Sequence, residues 1–413
     1  MNNLYSYKFR LYPTKQQEVL LNKHFGCGRF VYNHFLDKRI QEYKNNKKSI
    51  SRKDNEKELP ILKKEHPWLK EVGSQSLQYA VECLQNAYDN FFRKVKQKNK
   101  GNKGFPKFKR INDKQSFRVK QNIKIKGKKL CFPKFLSGVN FVQDREFEGE
   151  IKFATISRNK VGQYFVSITV QKEILPLPTS SEVIAFDLNV KNIVDSNGNK
   201  IQNPRPNKQY EQRLKLLSKG VSRSEKGSNG RKKANRRLAK LHLKITNKRE
   251  DFLHKLTHRI INENQVICVE DLSVESMLKK VSPDKRDETR WKERNRHKDI
   301  ADCGFRSFVD KLTYKAKWCG RELIKVDRYF PSSQLCNNCG FQNKELKPTD
   351  REWFCFNCFE NVDRDHNAAL NILDEGLKYR TVGTTELAAC PDVRPAFGGQ
   401  LVGAETHPSL AGG

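Results

Sequence analysis

The chain opens with alternating apolar and polar residues. Across residues 5–11, Tyr, Tyr, Phe and Leu alternate with Ser, Lys and Arg, and this period of two is typical of a strand with one buried and one basic face. Thr14 and Gln17 follow at the spacing of a capping box, so a helix is expected to begin there. Apolar residues at helical spacing over 74–94 predict a well-formed amphipathic helix.

Short alternating strands return after residue 150. The segments 151–156 and 164–171 flank a turn near Asn159 and predict a hairpin. We expect the first strand of the chain to join these later strands in one small barrel, with the helices of 14–94 as an insertion. Asn197 and Gly198 are typical of a type I′ turn and predict a second hairpin.

Two wholly apolar strands each carry a carboxylate. Residues 183–188 read Val-Ile-Ala-Phe-Asp-Leu, and residues 265–272 read Gln-Val-Ile-Cys-Val-Glu-Asp-Leu. A carboxylate in such a strand is costly to bury without a partner, so Asp187 and Glu270 are candidates for a function. Asp271 is the neighbouring acid, but alternation places it on the opposite face from Glu270.

The rest of the pattern predicts mainly helices. The expected elements are a long helix with its buried stripe over 234–260, a mobile surface loop of mixed charge at 279–298, a helix at 303–319, a strand at 321–329, a helix at 365–377 and a disordered tail at 381–413.

Composition adds a strong basic bias. The chain has 413 residues, with 81 Lys and Arg against 47 Asp and Glu and a formal net charge of +34. Such a charge implies a polyanionic partner, and nucleic acid is favoured over a membrane surface because no apolar run approaches the roughly 18 residues of a span.

The N-terminus lacks the apolar stretch of a secretion signal. Seven of the 11 cysteines are scattered singly, which suits a reducing cytoplasm.

Two segments concentrate the positive charge. Residues 93–134 contain 17 Lys or Arg and one acid, with Phe interleaved, and residues 219–249 contain 12 Lys or Arg and one acid. A solvated basic face is the alternative for such runs, but the length and the aromatic residues favour nucleic-acid contact. The candidate contact residues in and beside these segments are Gln75, Gln78, Lys107, Lys109, Arg110, Arg236 and Arg237.

Two CxxC pairs, separated by 15 residues, predict a metal site. Four thiolates at this spacing can close a tetrahedron around one zinc ion. The predicted zinc ligands are Cys336, Cys339, Cys355 and Cys358. Two disulfides or four idle thiols are the alternatives. A closed structural site performs no chemistry, so the chemistry is expected in the domain that this ribbon interrupts.

Asp365, at the mouth of the helix after the cysteines, is a third candidate acid. A first strand, a later central strand and a C-terminal helix converge at one edge of an RNase H-like sheet, which would bring Asp365 to Asp187 and Glu270. Three such carboxylates repel unless divalent cations neutralise them, and two Mg²⁺ ions about 3.5–4 Å apart would support phosphodiester hydrolysis. Each acid also has a structural alternative. Asp187 could be a turn residue, Glu270 a surface residue at a strand end, and Asp365 a helix cap. Asp363 is the alternative to Asp365 both as metal ligand and as cap.

Several motifs together carry a family resemblance. They are residues 7–13, 29–33, 104–109, 185–188, 269–272, 329–333 with the four cysteines, and 363–369. On these motifs the sequence resembles the TnpB family, which insertion sequences encode and which is regarded as ancestral to type V CRISPR effector nucleases. The last two motifs together are highly specific, and the resemblance covers about the first 390 residues.

The resemblance implies an α/β multidomain fold. Its expected parts are a small β-barrel (wedge) domain at 1–12 and 110–178, a helical recognition domain at 13–109, an RNase H-like RuvC nuclease domain at 179–328 and 362–380, a zinc ribbon at 329–361 and the tail at 381–413. By matching motif, Asp187, Glu270 and Asp365 become catalytic residues that bind two Mg²⁺ ions. Gln75 and Gln78 fall on the helix that approaches the DNA motif beside the target.

The resemblance also implies an RNA-guided DNA endonuclease. Its partners would be a guide RNA derived from the transposon end and double-stranded target DNA beside a short motif, with base pairing supplying the sequence information. A monomer in the prokaryotic cytoplasm, bound to the nucleoid through DNA and not to a membrane, is expected. Because the guide RNA in this family overlaps the end of the coding region, residues beyond 381 are expected to reflect the needs of the RNA.

The chain departs from the family pattern beside the first acid. Family members usually have Gly on either side of it, where this chain has Ala185 and Asn189, and a side chain at 189 is expected to crowd an approaching phosphate backbone.

Three rival functions fit the sequence less well. A non-cleaving RNA-guided repressor should have lost one of the acids, an accessory transposase would need a strand-transfer architecture that the sequence does not show, and a simple zinc-ribbon binding module leaves the strand-borne acids unexplained.

Overall fold

The computed structural model describes residues 2–97, 104–173, 175–278, 287–347 and 349–383. These residues form two compact units, which meet in sequence at residues 173 and 174. The predicted tail lies outside the described residues from 384 onward, as does 279–286 of the predicted loop. Within the described residues, no helix is both long and apolar enough to cross a bilayer.

The first unit combines strands with long helices. Its described elements are β1 (Asn2–Tyr12), α1 (Lys15–Asn46), α2 (Arg52–Glu65), a 3-10 helix (Pro67–Glu71), α3 (Ser74–Lys96), β2 (Gln115–Val119), β3 (Lys124–Lys126), β4 (Lys129–Phe132), β5 (Phe135–Val142), β6 (Glu150–Arg158) and β7 (Tyr164–Glu173).

The described strands of this unit form one antiparallel sheet in the order β2-β6-β7-β1-β5-β4-β3. β1 pairs with both β7 and β5, so the predicted association of the first strand with later strands is confirmed. Phe9 and Leu11 point from β1 into a core shared with Phe117 and Ile168. The helices α1 to α3 are inserted between β1 and the rest of the sheet. In the described residues, the two end strands, β2 and β3, do not pair to close a barrel.

Side-chain caps explain where the helices of the first unit begin. The Gln17 backbone N–H donates to Oγ1 of Thr14 at 3.3 Å, and the Thr14 N–H donates to Oε1 of Gln17 at 3.1 Å, which confirms the capping box. Ser51 caps α2 in the same reciprocal way with Asp54. Apolar residues of α1, α2 and α3 then pack into a helical core.

The second unit alternates strands and helices. Its described elements are β8 (Val183–Leu188), β9 (Asn192–Asp195), β10 (Lys200–Gln202), α4 (Pro206–Gln209), α5 (Glu211–Arg223), α6 (Asn229–Glu263), β11 (Val266–Glu270), α7 (Val274–Met277), α8 (Asp287–Cys303), α9 (Phe305–Cys319), β12 (Glu322–Val326), β13 (Glu352–Phe354), β14 (Asn361–Asp363) and α10 (Arg364–Gly383).

Two predictions for this unit are wrong. Residues 287–298 of the predicted mobile loop belong to α8, because mixed charge alone does not exclude a helix. The predicted tail begins too early, since α10 continues to residue 383. The hairpin around Asn197 and Gly198 is confirmed by the pairing of β9 with β10.

A mixed sheet of five described strands organises the second unit, in the order β10-β9-β8-β11-β12. β8 and β12 run parallel to β11, and β9 and β10 are antiparallel. One face, which includes Phe186 and Val269, packs on apolar residues of α6 and α9. The other face, which includes Ala185 and Cys268, packs with Ile372 of α10. Helices therefore cover both faces, as is usual where parallel strands are buried.

Candidate active site and metal centre

Two acids lie side by side where two parallel strands end. The register pairs Val269 of β11 with Phe186 of β8, so the next residues along each strand are Glu270 and Asp187. Side chains alternate along a strand, and Asp187 therefore shares the face of Ala185, onto which α10 packs. The local sequence thus places both carboxylates on the α10 side of the sheet.

Helix α10 brings the third acid to the same place. Asp365 lies in its first turn, and Ile372 anchors the helix on the sheet. Farther along the helix, a Cβ atom at Gly376 would lie 2.5 Å from Sγ of Cys268, a distance that real Cβ atoms do not adopt. Glycine at this position allows the helix to approach the strand closely.

The electrostatics of the three acids show that they interact. Burial, then the negative charges of Glu270 and Asp365, raise the pKa of Asp187 to about 8. Burial also raises the pKa of Glu270, while a hydrogen bond from Ser332 acts in the opposite direction. A buried carboxylate surrounded by like charges is the environment that a divalent cation would stabilise.

Asp363 and Asp365 have different roles at the start of α10. Oδ1 of Asp363 accepts the backbone N–H groups of Asp365 and His366 at 3.1 and 3.0 Å, so Asp363 is the helix cap. Asp363 also pairs with Lys200 at 2.6 Å. The carboxylate of Asp365 instead lies 3.2 Å from Arg351, with Arg364 beside it at 3.4 Å. The cap reading therefore applies to Asp363 and not to Asp365.

The side chain of Asp271 contacts a different residue from those that the three acids contact. Its carboxylate pairs with Arg328, whereas the adjacent Glu270 accepts a hydrogen bond from Ser332 at 2.7 Å. This difference agrees with the prediction that alternation sends the two neighbours to opposite faces.

The four cysteines form a compact cluster. The Sγ atoms of Cys336 and Cys358 are 3.6 Å apart, as are those of Cys339 and Cys355. A tetrahedral zinc ion with bonds of about 2.3 Å would hold its sulfur ligands about 3.8 Å apart, whereas a disulfide would need about 2.05 Å. All four cysteines are free thiols, so the disulfide alternative is wrong and the donor set fits zinc.

The cysteines and the carboxylates differ in spacing. Among the described residues, the four cysteines are the group of potential ligands whose donor atoms all lie within 4.8 Å of one another. The carboxylates of Asp187, Glu270 and Asp365 do not form such a group. Their residue types still fit Mg²⁺, which prefers carboxylate oxygens and retains several waters.

The residues predicted to contact nucleic acid differ in their exposure. Gln78, Lys107, Arg110, Arg236 and Arg237 are exposed. These five side chains are therefore available to a partner.

Two of the predicted contacts are engaged within the first unit. Lys109 is half-buried, its Nζ lies 4.0 Å from the centroid of the Tyr32 ring, and burial lowers its pKa. Oε1 of Gln75 accepts the backbone N–H groups of Lys120 and Gln121 at 2.7 and 3.0 Å. The carbonyl oxygen of Gln75 therefore holds the backbone that follows β2.

Three contacts of the acids were not predicted from the sequence. Ser332 donates to Glu270, Asn189 donates to Asp187, and Arg351 pairs with Asp365. Ser332 lies in a motif that carries the family resemblance, which was the available signal for it. Nothing in the local pattern around Arg351 points to its ion pair, since the two residues meet only through the β13–β14 hairpin.

Three family models match the chain. They are the IS605 OrfB family described as "Probable transposase" at residues 165–281, the "Cas12f1-like, TNB domain" at 305–372, and the IS605 OrfB "Helix-turn-helix domain" at 1–48. The second match includes all four cysteines. In the structure, the residues of the third match are mainly β1 and the continuous helix α1.

Full-length relatives are also similar to this chain. A protein of Streptomyces pristinaespiralis named "Putative RNA-guided DNA endonuclease" is 35% identical over 385 residues, covering 92% of this chain and 90% of the relative. The Escherichia coli K12 protein "Putative RNA-guided DNA endonuclease InsQ" is 30% identical, covering 91% and 93%. A solved Cas12f1–sgRNA–target DNA complex has a TM-score of 0.46 at 13% identity, covering 90% of this chain and 98% of that chain.

Proposed function

This chain belongs to the TnpB family of IS605 OrfB proteins, and we propose that it is an RNA-guided DNA endonuclease. In this proposal, a guide RNA derived from the transposon end pairs with target DNA, and the protein recognises a short motif beside the target. The second unit is then an RNase H-like RuvC nuclease domain interrupted by a zinc ribbon.

The observation that carries the nuclease assignment is the meeting of Asp187, Glu270 and Asp365. These acids come from two parallel strands and one helix, and the charges of the other two contribute to the raised pKa of Asp187. Buried carboxylates that repel one another are costly, and such groups cluster at functional sites. Hydrolysis of a phosphodiester by metal-assisted catalysis is such a use.

The residues of the site would have two kinds of role, metal binding and orientation of the metal ligands. Asp187, Glu270 and Asp365 would hold two Mg²⁺ ions, which supply an activated water and stabilise the leaving oxygen of a phosphodiester. The chain itself orients the ligands: Asn189 holds Asp187, and Asp363 caps the helix that carries Asp365. Because Asp363 satisfies the helix terminus, Asp365 is not needed as the cap.

The basic surface supports the nucleic-acid partners. The formal charge of +34 and exposed residues such as Arg236 and Arg237 on α6 suit contacts with phosphate backbones. Base pairing, and not protein side chains, would then supply most of the sequence selection. The four cysteines would bind a structural Zn²⁺ ion.

One experiment tests the function directly. The protein is expressed with the flanking end of its element, the RNA that copurifies is sequenced, and plasmid libraries matched to the guide end of that RNA are offered with Mg²⁺. We expect cutting beside a short common motif. Retained RNA-dependent binding without any cutting of either strand would instead assign the protein as a repressor and overturn the nuclease proposal.

Adjacent acids provide a matched control. Glu270→Gln should abolish cutting and retain RNA binding, whereas Asp271→Asn should cut nearly as wild type, because Asp271 contacts Arg328 and not the other acids. Equal loss of cutting in both variants, with RNA binding retained, would contradict the assignment of Glu270.

A further inference from the structure

Ser332 makes a buried contact with one of the three acids. Its Oγ donates to Oε1 of Glu270 at 2.7 Å, across 62 residues of sequence. Ser332 is 6% exposed, so water does not compete freely for this hydrogen bond. Hydrogen bonds to a charged acceptor are among the stronger ones in proteins, and this one restricts a glutamate side chain that has several rotamers.

Two asparagines of α10 hold the segment that carries this serine. Nδ2 of Asn371 donates to the carbonyl oxygens of Ser332 and Leu335 at 2.8 and 2.7 Å. Nδ2 of Asn367 donates to the Leu335 carbonyl at 2.6 Å. Asn367 and Asn371 lie one helical turn apart, and both are almost fully buried. The helix that carries Asp365 therefore also fixes the backbone beside Ser332.

The first cysteine pair is tied to the same asparagines through Asn337. The Asn337 backbone N–H donates to Oδ1 of Asn367 at 2.8 Å, and its Nδ2 donates to Oδ1 of Asn371 at 3.2 Å. Asn337 lies between Cys336 and Cys339 in the sequence. A continuous set of hydrogen bonds thus joins the cysteine cluster, α10 and Glu270.

We propose that Ser332 is a positioning residue for Glu270, and that Asn371 keeps the serine in place. The proposal rests on the function proposed above, and it assigns a role to residues that the three acids leave unexplained. A carboxylate that accepts one hydrogen bond through Oε1 keeps Oε2 available for a cation. Residues that orient metal ligands in this way usually change metal affinity or activity by about 10–100-fold when they are replaced.

The test measures Mn²⁺ binding as well as cutting. Mn²⁺ is titrated into the zinc-loaded protein–RNA complex and followed by electron paramagnetic resonance, with Asp187→Ala identifying the signal of the acid site. We expect Ser332→Ala to weaken this binding by about tenfold and to lower kcat with an unchanged KM for DNA. Zinc content and melting temperature should remain near wild type.

Three further variants make the result specific. Ser332→Thr keeps the hydroxyl and should recover most of the Mn²⁺ affinity, and Asn371→Ala should weaken it through the released serine. Ser333→Ala is the matched control, one residue away, and should bind as wild type. Unchanged Mn²⁺ affinity and kcat in Ser332→Ala would overturn the proposal, and so would a loss that is accompanied by release of zinc and early melting.

The two proposals fail in different ways. If the wild type binds Mn²⁺ at the acid site but cuts no DNA, the nuclease assignment fails, and the binding titrations still decide the role of Ser332. If the wild type cuts and Ser332→Ala is indistinguishable from it in both measurements, the role of Ser332 alone is overturned.

Discussion

The side-chain amide of Asn189 donates a hydrogen bond to Oδ2 of Asp187 at 2.5 Å. This is the position at which the family pattern has glycine. The sequence suggested that a side chain there would crowd an approaching phosphate, but the structure directs the amide to the carboxylate. The hydrogen bond favours the charged form of Asp187 and partly offsets the burial that raises its pKa.

Replacing Asn189 with glycine should therefore change the pH dependence of cutting. Without the donor, the pKa of Asp187 rises further, and the acid limb of the rate–pH profile should move to higher pH. The rate on the acid side of the profile should therefore fall, while the plateau at higher pH is kept. An acid limb that coincides with that of wild type would contradict this role of Asn189.

The raised pKa of Asp187 also predicts how stability depends on pH. Between its ordinary pKa of 3.8 and its folded pKa of about 8, the folded protein retains a proton that the unfolded chain releases. Stability should therefore fall as the pH rises through this window. In magnesium-free buffer, Asp187→Asn should gain stability relative to wild type at pH 8 but little at pH 4, by roughly a few kcal/mol.

Urea unfolding at the two pH values measures this difference. Adding Mg²⁺ at pH 8 should stabilise the wild type and not the Asn variant, because a ligand that binds only the folded state raises its stability. A constant difference between the two proteins from pH 4 to 8 would show that Asp187 titrates normally.

The two acids at the start of α10 should respond differently to replacement. Asp363→Ala removes a helix cap and should cost about 1 kcal/mol, which for a unit of this size corresponds to a fall of about 2–4 °C in Tm. Asp365→Asn should abolish cutting with little change in Tm. Cleavage assays and thermal melts of both variants provide the comparison, and the reverse pattern would exchange the two assignments.

The close contact between α10 and β11 should make Gly376 sensitive to one added methyl group. Gly376→Ala places Cβ 2.5 Å from Sγ of Cys268, and overpacking of this kind costs about 1–3 kcal/mol. Cys268→Ala in the same chain should recover part of the loss, which a double-mutant cycle measures. Gly220→Ala on α5 is the control, because a Cβ atom added there would have no neighbouring atom within 4 Å, and it should be neutral or slightly stabilising.

Loss of zinc should destabilise the zinc ribbon before the rest of the protein. Cys336→Ser takes one ligand from the cluster, so zinc content should fall and the ribbon should lose stability. Cys83→Ser, at a half-buried single cysteine, should retain the metal. Zinc stoichiometry and melting curves measure the effect, and full zinc occupancy in Cys336→Ser would remove that residue from the ligand set.

The sequence pattern was sufficient to predict a site residue where that residue differs chemically from its neighbours. Asp187 and Glu270 stand out because each interrupts an apolar strand, and the cysteines stand out by spacing. The hydrogen bond between Ser332 and Glu270 could not be predicted, because it joins a loop to a strand 62 residues away. The strands β2 to β5 were missed because β3 and β4 are only three and four residues long and carry exposed lysines, and because Gly138 interrupts the apolar pattern of β5.

The glycine contact of α10 has a consequence for changes in chain length. Between Asp365 and Gly376 the helix rises about 16 Å and completes about three turns. With Gly376 seated against Cys268, the intervening turns determine both the height and the direction of the Asp365 side chain. One inserted or deleted residue in this interval would swing that acid by about 100°, so the interval should tolerate substitutions on its solvent side but no indels.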